Sequence, residues 1–85
     1  MYKVIISKSA EKELKDLPEH LLVRILKSVR KLETNPRPAG CKKLRGNDET
    51  LWRIRIGDYR VIYFIDDAVL IVDIRKAGHR KDIYQ

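Results

Sequence analysis

The chain is short of the residues that most metal, redox and cofactor chemistries require. It has one cysteine, Cys41, which excludes an internal disulfide framework and leaves no Cys-x-x-Cys pair for zinc or thiol exchange. Its two histidines, His20 and His79, stand among scattered carboxylates with no metal-ligand spacing, so neither a zinc site nor a two-metal nuclease is expected. Neither GxxxxGK[ST] nor GxGxxG occurs, so nucleotide cofactors lack a motif and no cofactor is expected. No apolar run approaches the ~18–20 residues that span a bilayer. The opening MYKVIISKSA is too short and too interrupted by polar residues for a signal peptide. A cytoplasmic protein without a membrane partner is the expectation. Glycine (4) and proline (3) are few, while 44% hydrophobic and 36% charged residues describe an ordinary folded chain. At 85 residues, one domain spanning 1–85 is expected.

Positive charge is abundant. A formal charge of +7 predicts attraction to a polyanion, either nucleic acid or an acidic protein. From Arg37 onward seven of eleven basic residues are arginine, whereas the first 34 residues favour lysine. Guanidinium makes planar, bidentate contacts with phosphate oxygens, so the second half leans towards phosphate recognition.

Tyr2–Ile6 reads as an opening strand, central in its sheet because the apolar run is nearly continuous. Ser7 or Ser9 can cap a short helix with Ala10, Leu14 and Leu17 on one stripe. Pro18 ends that helix and suits the first turn of a second, where Leu22, Ile25, Val29 and Leu32 recur at helical steps. Thr34-Asn35-Pro36-Arg37-Pro38 stops it, and a loop carrying Lys42, Lys43 and Arg45 follows to Gly46. The rest reads as strands at Leu51–Ile56, Tyr59–Ile65 and Ala68–Arg75, with a tail KAGHRKDIYQ. The predicted fold class is α+β: an N-terminal strand, a two-helix hairpin, then an antiparallel three-stranded meander, with the helices on one sheet face.

The chemistry concentrates in LWRIRIGDYRVIY, Leu51–Tyr63. Gly57-Asp58 fits a two-residue hairpin turn with glycine in the first central position. That turn sets Ile54 opposite Val61, Arg55 opposite Arg60 and Ile56 opposite Tyr59. Alternation then puts Arg53, Arg55 and Arg60 on one face. Like charges opposed in a sheet are destabilising, so the cluster reads as an anion site. A second two-residue turn at Asp66-Asp67 is expected to set Ile65 opposite Ala68 and Arg60 opposite Asp73, bringing Asp73 and Arg75 to the same face. The competing assignments are structural, with Arg60 held by an Asp73 ion pair and Arg53 and Arg55 as solvated strand positions. Trp52 points away from Arg53 and is expected to pack beneath the helices.

The tail adds Lys76, His79, Arg80, Lys81 and Tyr84. A histidine of pKa ~6.5 exchanges protons near neutrality. A tyrosine of pKa ~10 ionises more readily beside cations. Arginine stays protonated and suits oxyanion stabilisation better than base chemistry. The bland reading leaves His79 as an exposed tail residue and Tyr84 as a cover for the core edge.

KKLRG at Lys42–Gly46, WRIRIGDYRVIY at Trp52–Tyr63 and GHRKDIY at Gly78–Tyr84 together resemble the RelE/ParE superfamily of bacterial and archaeal toxin–antitoxin toxins. The element order matches over essentially the whole chain. Resemblance to the RelE branch implies a metal-independent, ribosome-dependent mRNA endoribonuclease in which the ribose 2′-OH attacks the adjacent phosphate. It implies catalytic roles for Arg60, Arg80, Tyr84 and His79, and RNA binding by Arg53, Arg55, Lys43, Arg45, Arg75 and Lys76. The implied partners are mRNA, the ribosome and a cognate RelB-like antitoxin, through which the complex binds operator DNA. The same fold also implies an alternative, a ParE-like inhibitor of DNA gyrase. A third reading is a basic RNA-binding module without catalysis.

Overall fold

A computed structural model describes residues 1–45, 48–79 and 81. The first strand, β1, spans Lys3–Ile6. Ser7 then turns the chain into helix α1, Lys8–Lys15, its Oγ accepting the Ala10 N–H at 3.2 Å. This satisfies one of the amide donors a helix start leaves unpaired. Helix α2, Glu19–Lys31, begins after Pro18, whose fixed φ of −55° suits a helix entry and whose carbonyl accepts from Leu21 and Leu22. Ala10 and Leu14 of α1, and Ile25 and Val29 of α2 with Leu32 just beyond it, form the buried helical stripe. That stripe packs on Val61, Tyr63, Ile65, Val72 and Ile74. Burying each large aliphatic side chain contributes about 1.5–3 kcal/mol.

Strands β2 (Lys42–Arg45), β3 (Thr50–Ile56), β4 (Tyr59–Asp66) and β5 (Ile71–His79) complete a sheet ordered β1-β5-β4-β3-β2 among the described residues. β1 runs parallel to β5, and the remaining neighbours are antiparallel. The α+β class with helices on one face is as expected. The hairpin register also holds, with Ile54 opposite Val61, Arg55 opposite Arg60 and Ile56 opposite Tyr59. Gly57 takes φ +59°, which a side-chain-bearing residue adopts only with strain, and it therefore occupies the first turn position.

Four expectations fail. The opening strand lies at the sheet edge rather than its centre, and Ile5 and Ile6 stay 41% and 37% exposed. Lys42–Arg45 is a strand, not a loop, so the meander has four strands instead of three. Its basic residues are those that keep an edge strand from pairing with other chains. The link after β4 is a four-residue turn, Asp67–Leu70, because the Asp66 carboxylate accepts the Ala68 and Val69 N–H groups at 3.0 and 3.3 Å. A strand therefore starts at Ile71 instead of Ala68 and absorbs Lys76–His79 from the expected tail. Finally, the longer turn sets Ile65 opposite Val72 and not Ala68, and a further register shift between Ile62 and Tyr63 leaves Arg60 facing Gly78 and not Asp73.

A polar clamp fixes the segment between α2 and β2. The buried Tyr63 hydroxyl donates to the Pro36 carbonyl at 2.8 Å, and burial raises its pKa. Arg37 grips Asp67 through two bonds of 3.3 and 2.8 Å, while the Tyr2 hydroxyl donates to the same carboxylate at 2.6 Å. The Arg37 guanidinium also lies 5.0 Å from the Trp52 ring centre, on the helix side of the sheet as expected.

Candidate functional site

Strand alternation leaves one sheet face without helices. Two rungs on this open face carry the charge. In one, Lys42 pairs with Arg53, Arg53 with Ile62, and Ile62 with Lys76. In the next, Arg55 pairs with Arg60 and Arg60 with Gly78. The structure thus gathers Arg53, Arg55 and Arg60 on one face, as expected, and adds Lys76, which the expected register had left in the tail. Beside them, where β3 extends past the end of β2, a cleft of about 480 Å³ is bordered by Arg53 and Arg55 and by Ser28 and Lys31 of α2.

Arg60 is the unusual member. It is only 6% exposed, yet no carboxylate among the described residues forms a salt bridge with it. Nη1 donates to the carbonyls of Gly57 and Tyr59 at 3.4 and 3.3 Å, both long, and Nε has no partner among the described residues. The buried Nε of Arg53 is also unpartnered. A buried charge is costly unless paired and hydrogen-bonded, and these free donors are ones that an external anion would satisfy. The Asp73 counter-ion expected for Arg60 is engaged elsewhere.

Asp73 accepts from Arg75 Nε at 2.7 Å, and Glu49 accepts from Arg75 Nη1 and Nη2 at 2.9 and 3.2 Å. Both carboxylates raise the arginine's pKa, Glu49 by the larger amount. The Arg75 guanidinium lies 5.3 Å from the centre of the Phe64 ring. Arg75, expected to bind RNA as a cation, thus has its charge already neutralised.

The other expected residues divide. Lys43 pairs with Trp52 and Arg45 with Thr50, which sets both on the helix-side face, opposite the arginines. Lys42, which carried no expectation of its own, takes the position beside Arg53. No local signal separates the two lysines, because strand parity there depends on pairing with β3. His79 ends β5 rather than standing in a free tail. Its ring packs edge-on against Tyr59 at 5.6 Å, and Nδ1 accepts the Lys81 N–H at 3.2 Å. Paired with Tyr59, it falls on the face opposite Arg60. Arg80 and Tyr84 lie outside the described residues.

Chemically, the open face can hold a phosphate and stabilise developing negative charge. Its arginines do not move protons at neutral pH.

Comparisons with known proteins identify the family and the fold. Residues 4–84 match the family described as the ParE toxin of the type II toxin–antitoxin system parDE. The chain is 39% identical over 89 aligned residues to the RelE1 protein of Methanocaldococcus jannaschii, covering 99% of this chain and 96% of that one. It is 38% identical over 85 residues to Toxin RelE of Mycobacterium tuberculosis, covering 99% and 87% of the two chains. The archaeal RelE–RelB complex from Pyrococcus horikoshii OT3 contains a chain that superposes with a TM-score of 0.82 at 35% identity, covering 95% of this chain and 97% of that one.

Proposed function

This chain belongs to the RelE/ParE superfamily of type II toxin–antitoxin toxins, and from that premise we propose that it is an mRNA endoribonuclease acting on the ribosome. The observation that carries this reading is the buried Arg60 guanidinium, 6% exposed and without a carboxylate partner among the described residues, on a face shared with Arg53 and Arg55. In the proposed reaction the ribose 2′-oxygen bonds to the adjacent phosphorus as the P–O5′ bond breaks. The 2′-hydroxyl proton leaves to a base, and a proton is delivered to the departing 5′-oxygen. The nucleophile is part of the substrate, so positioning and charge stabilisation carry much of the rate. Arg53, Arg55 and Arg60 hold the scissile phosphate, Arg80 joins them from the tail, and Tyr84 handles the protons in place of His79, which lies on the opposite face. Lys76 and Lys42 guide the flanking backbone.

A RelB-like antitoxin is the proposed partner. The related archaeal and mycobacterial chains were solved as RelE–RelB and RelBE2 toxin–antitoxin complexes. The +7 charge suits an acidic binding segment. In this proposal the toxin works in the cytoplasm, and the complex reaches operator DNA through its antitoxin.

Primer extension on cellular mRNA after induction tests the reading. Cuts inside translated regions, lost with Arg60→Ala, are expected; growth arrest with intact transcripts would overturn it. The match to the ParE family keeps gyrase inhibition as the second reading. A supercoiling assay run in parallel separates the two.

A further inference from the structure

Arg75 and Phe64 stand on the same open face as the arginine cluster, but their chemistry is different. Arg75 Nε, Nη1 and Nη2 all donate to carboxylates, at 2.7, 2.9 and 3.2 Å. A guanidinium grips phosphate through those same edges, so this one cannot do so without first releasing Glu49 or Asp73. Its guanidinium carbon lies over the Phe64 ring, 5.3 Å from the centre, and its side chain is 34% exposed. With its nitrogens bonded and Phe64 beside it, the part-exposed guanidinium offers surface rather than free donors. Two carboxylates against one cation also make the spot unfavourable for a phosphate.

Phe64 lies on β4 two residues beyond Ile62, which sits in the Arg53 rung, and four beyond Arg60. Four strand residues span roughly 13 Å, within reach of a short single strand held at Arg60. Flat, exposed guanidinium surfaces backed by an aromatic ring are what unstacked bases pack against, without regard to sequence.

We propose that the Phe64–Arg75 stack, held flat by Glu49 and Asp73, is a shelf on which a base flanking the scissile phosphate stacks. Phosphate is bound at the Arg53–Arg55–Arg60 end and a base at the Phe64–Arg75 end, which orients the strand across the sheet. This rests on the RNA-cleavage reading above and adds a substrate contact to it.

The test uses the purified chain with short 2′-O-methyl RNAs, which lack the attacking hydroxyl, both free and on mRNA-programmed ribosomes. A 2-aminopurine is moved along the RNA. Fluorescence should be quenched at one position, and that quench should vanish in Phe64→Leu and Arg75→Leu. An abasic nucleotide at the same position should weaken binding by about tenfold. The salt dependence of Phe64→Leu should equal that of the unaltered chain, since no phosphate contact is lost. Binding that needs Arg60 but ignores an abasic nucleotide at every position would overturn the shelf and leave the cleavage reading standing. Failure to retain RNA in either setting would overturn both. The abasic series needs no protein variant, so misfolding cannot obscure the result.

Discussion

Arg60 and Arg75 occupy neighbouring strands of one sheet face under opposite electrostatic conditions. Arg60 is 6% exposed, has two long bonds to carbonyls and leaves Nε without a partner among the described residues. Arg75 has three nitrogens bonded to two carboxylates and a ring beneath it. The residue most in need of a counter-charge lacks one among the described residues, while the better solvated residue has two. A protein arranged only for stability would not distribute its carboxylates this way. The proposed phosphate contact at the Arg60 end and base contact at the Arg75 end both build on this difference.

The largest expected effect comes from Arg60→Met, which keeps length and removes charge. Single-turnover cleavage should fall about 10²–10³-fold, the usual cost of losing a preorganised oxyanion donor. Stability should rise by about 1 kcal/mol, or ~4–8 °C in Tm, because an uncompensated buried charge is removed. A variant that melts lower and still cuts RNA would erase the contrast. Next in size is Lys42→Ala against Lys43→Ala. Only the first should weaken RNA binding and reduce the slope of log affinity on log salt by about one. Equal slopes would place both lysines outside the site.

A smaller effect probes the compensated end. Glu49→Gln with Asp73→Asn should lower the urea midpoint by an amount worth about 0.5–1 kcal/mol, as expected for partly exposed ion pairs. Unchanged stability would mean the carboxylates do not hold Arg75.

The smallest effect is a pH dependence at Asp67, an exposed pair on another part of the surface. Hydrogen bonds from Arg37 and then Tyr2 lower its pKa below the ordinary 3.8. A carboxyl lowered on folding stabilises the fold above its unfolded pKa and loses that contribution as pH falls through the folded value. Acid unfolding of Asp67→Asn should therefore be shallower below pH 3.8. Circular dichroism against pH checks this, and identical acid limbs would contradict it.

Much of the fold was legible because its signals are local. Ser7 caps α1, and Pro18 starts α2. The 3.6-residue spacing of Ile25, Val29 and Leu32 marks the buried stripe. Gly57-Asp58 set the hairpin register correctly and with it the pairing of Arg55 and Arg60. Where the reading failed, the deciding forces were distant in sequence. KKLR becomes a strand only because β3 offers an edge to pair with. β1 becomes an edge strand because β5 accepts it in parallel and nothing in the described chain pairs beyond it. The Asp66-capped turn moves Asp73 from Arg60 to the Phe64 position, and the bulge at Ile62/Tyr63 shifts the partner of Arg60 one residue further, to Gly78.

By itself the sequence determined the two helices, the β3–β4 hairpin, the family resemblance and the gathering of Arg53, Arg55 and Arg60 on one face. Period-two alternation across a two-residue turn leaves no other arrangement. Tertiary structure decided which charges are compensated. Whether a carboxylate meets an arginine across three strands depends on turn length and bulges, each of which shifts the register by whole residues. Those shifts leave Arg60 without Asp73 and give Asp73 to Arg75.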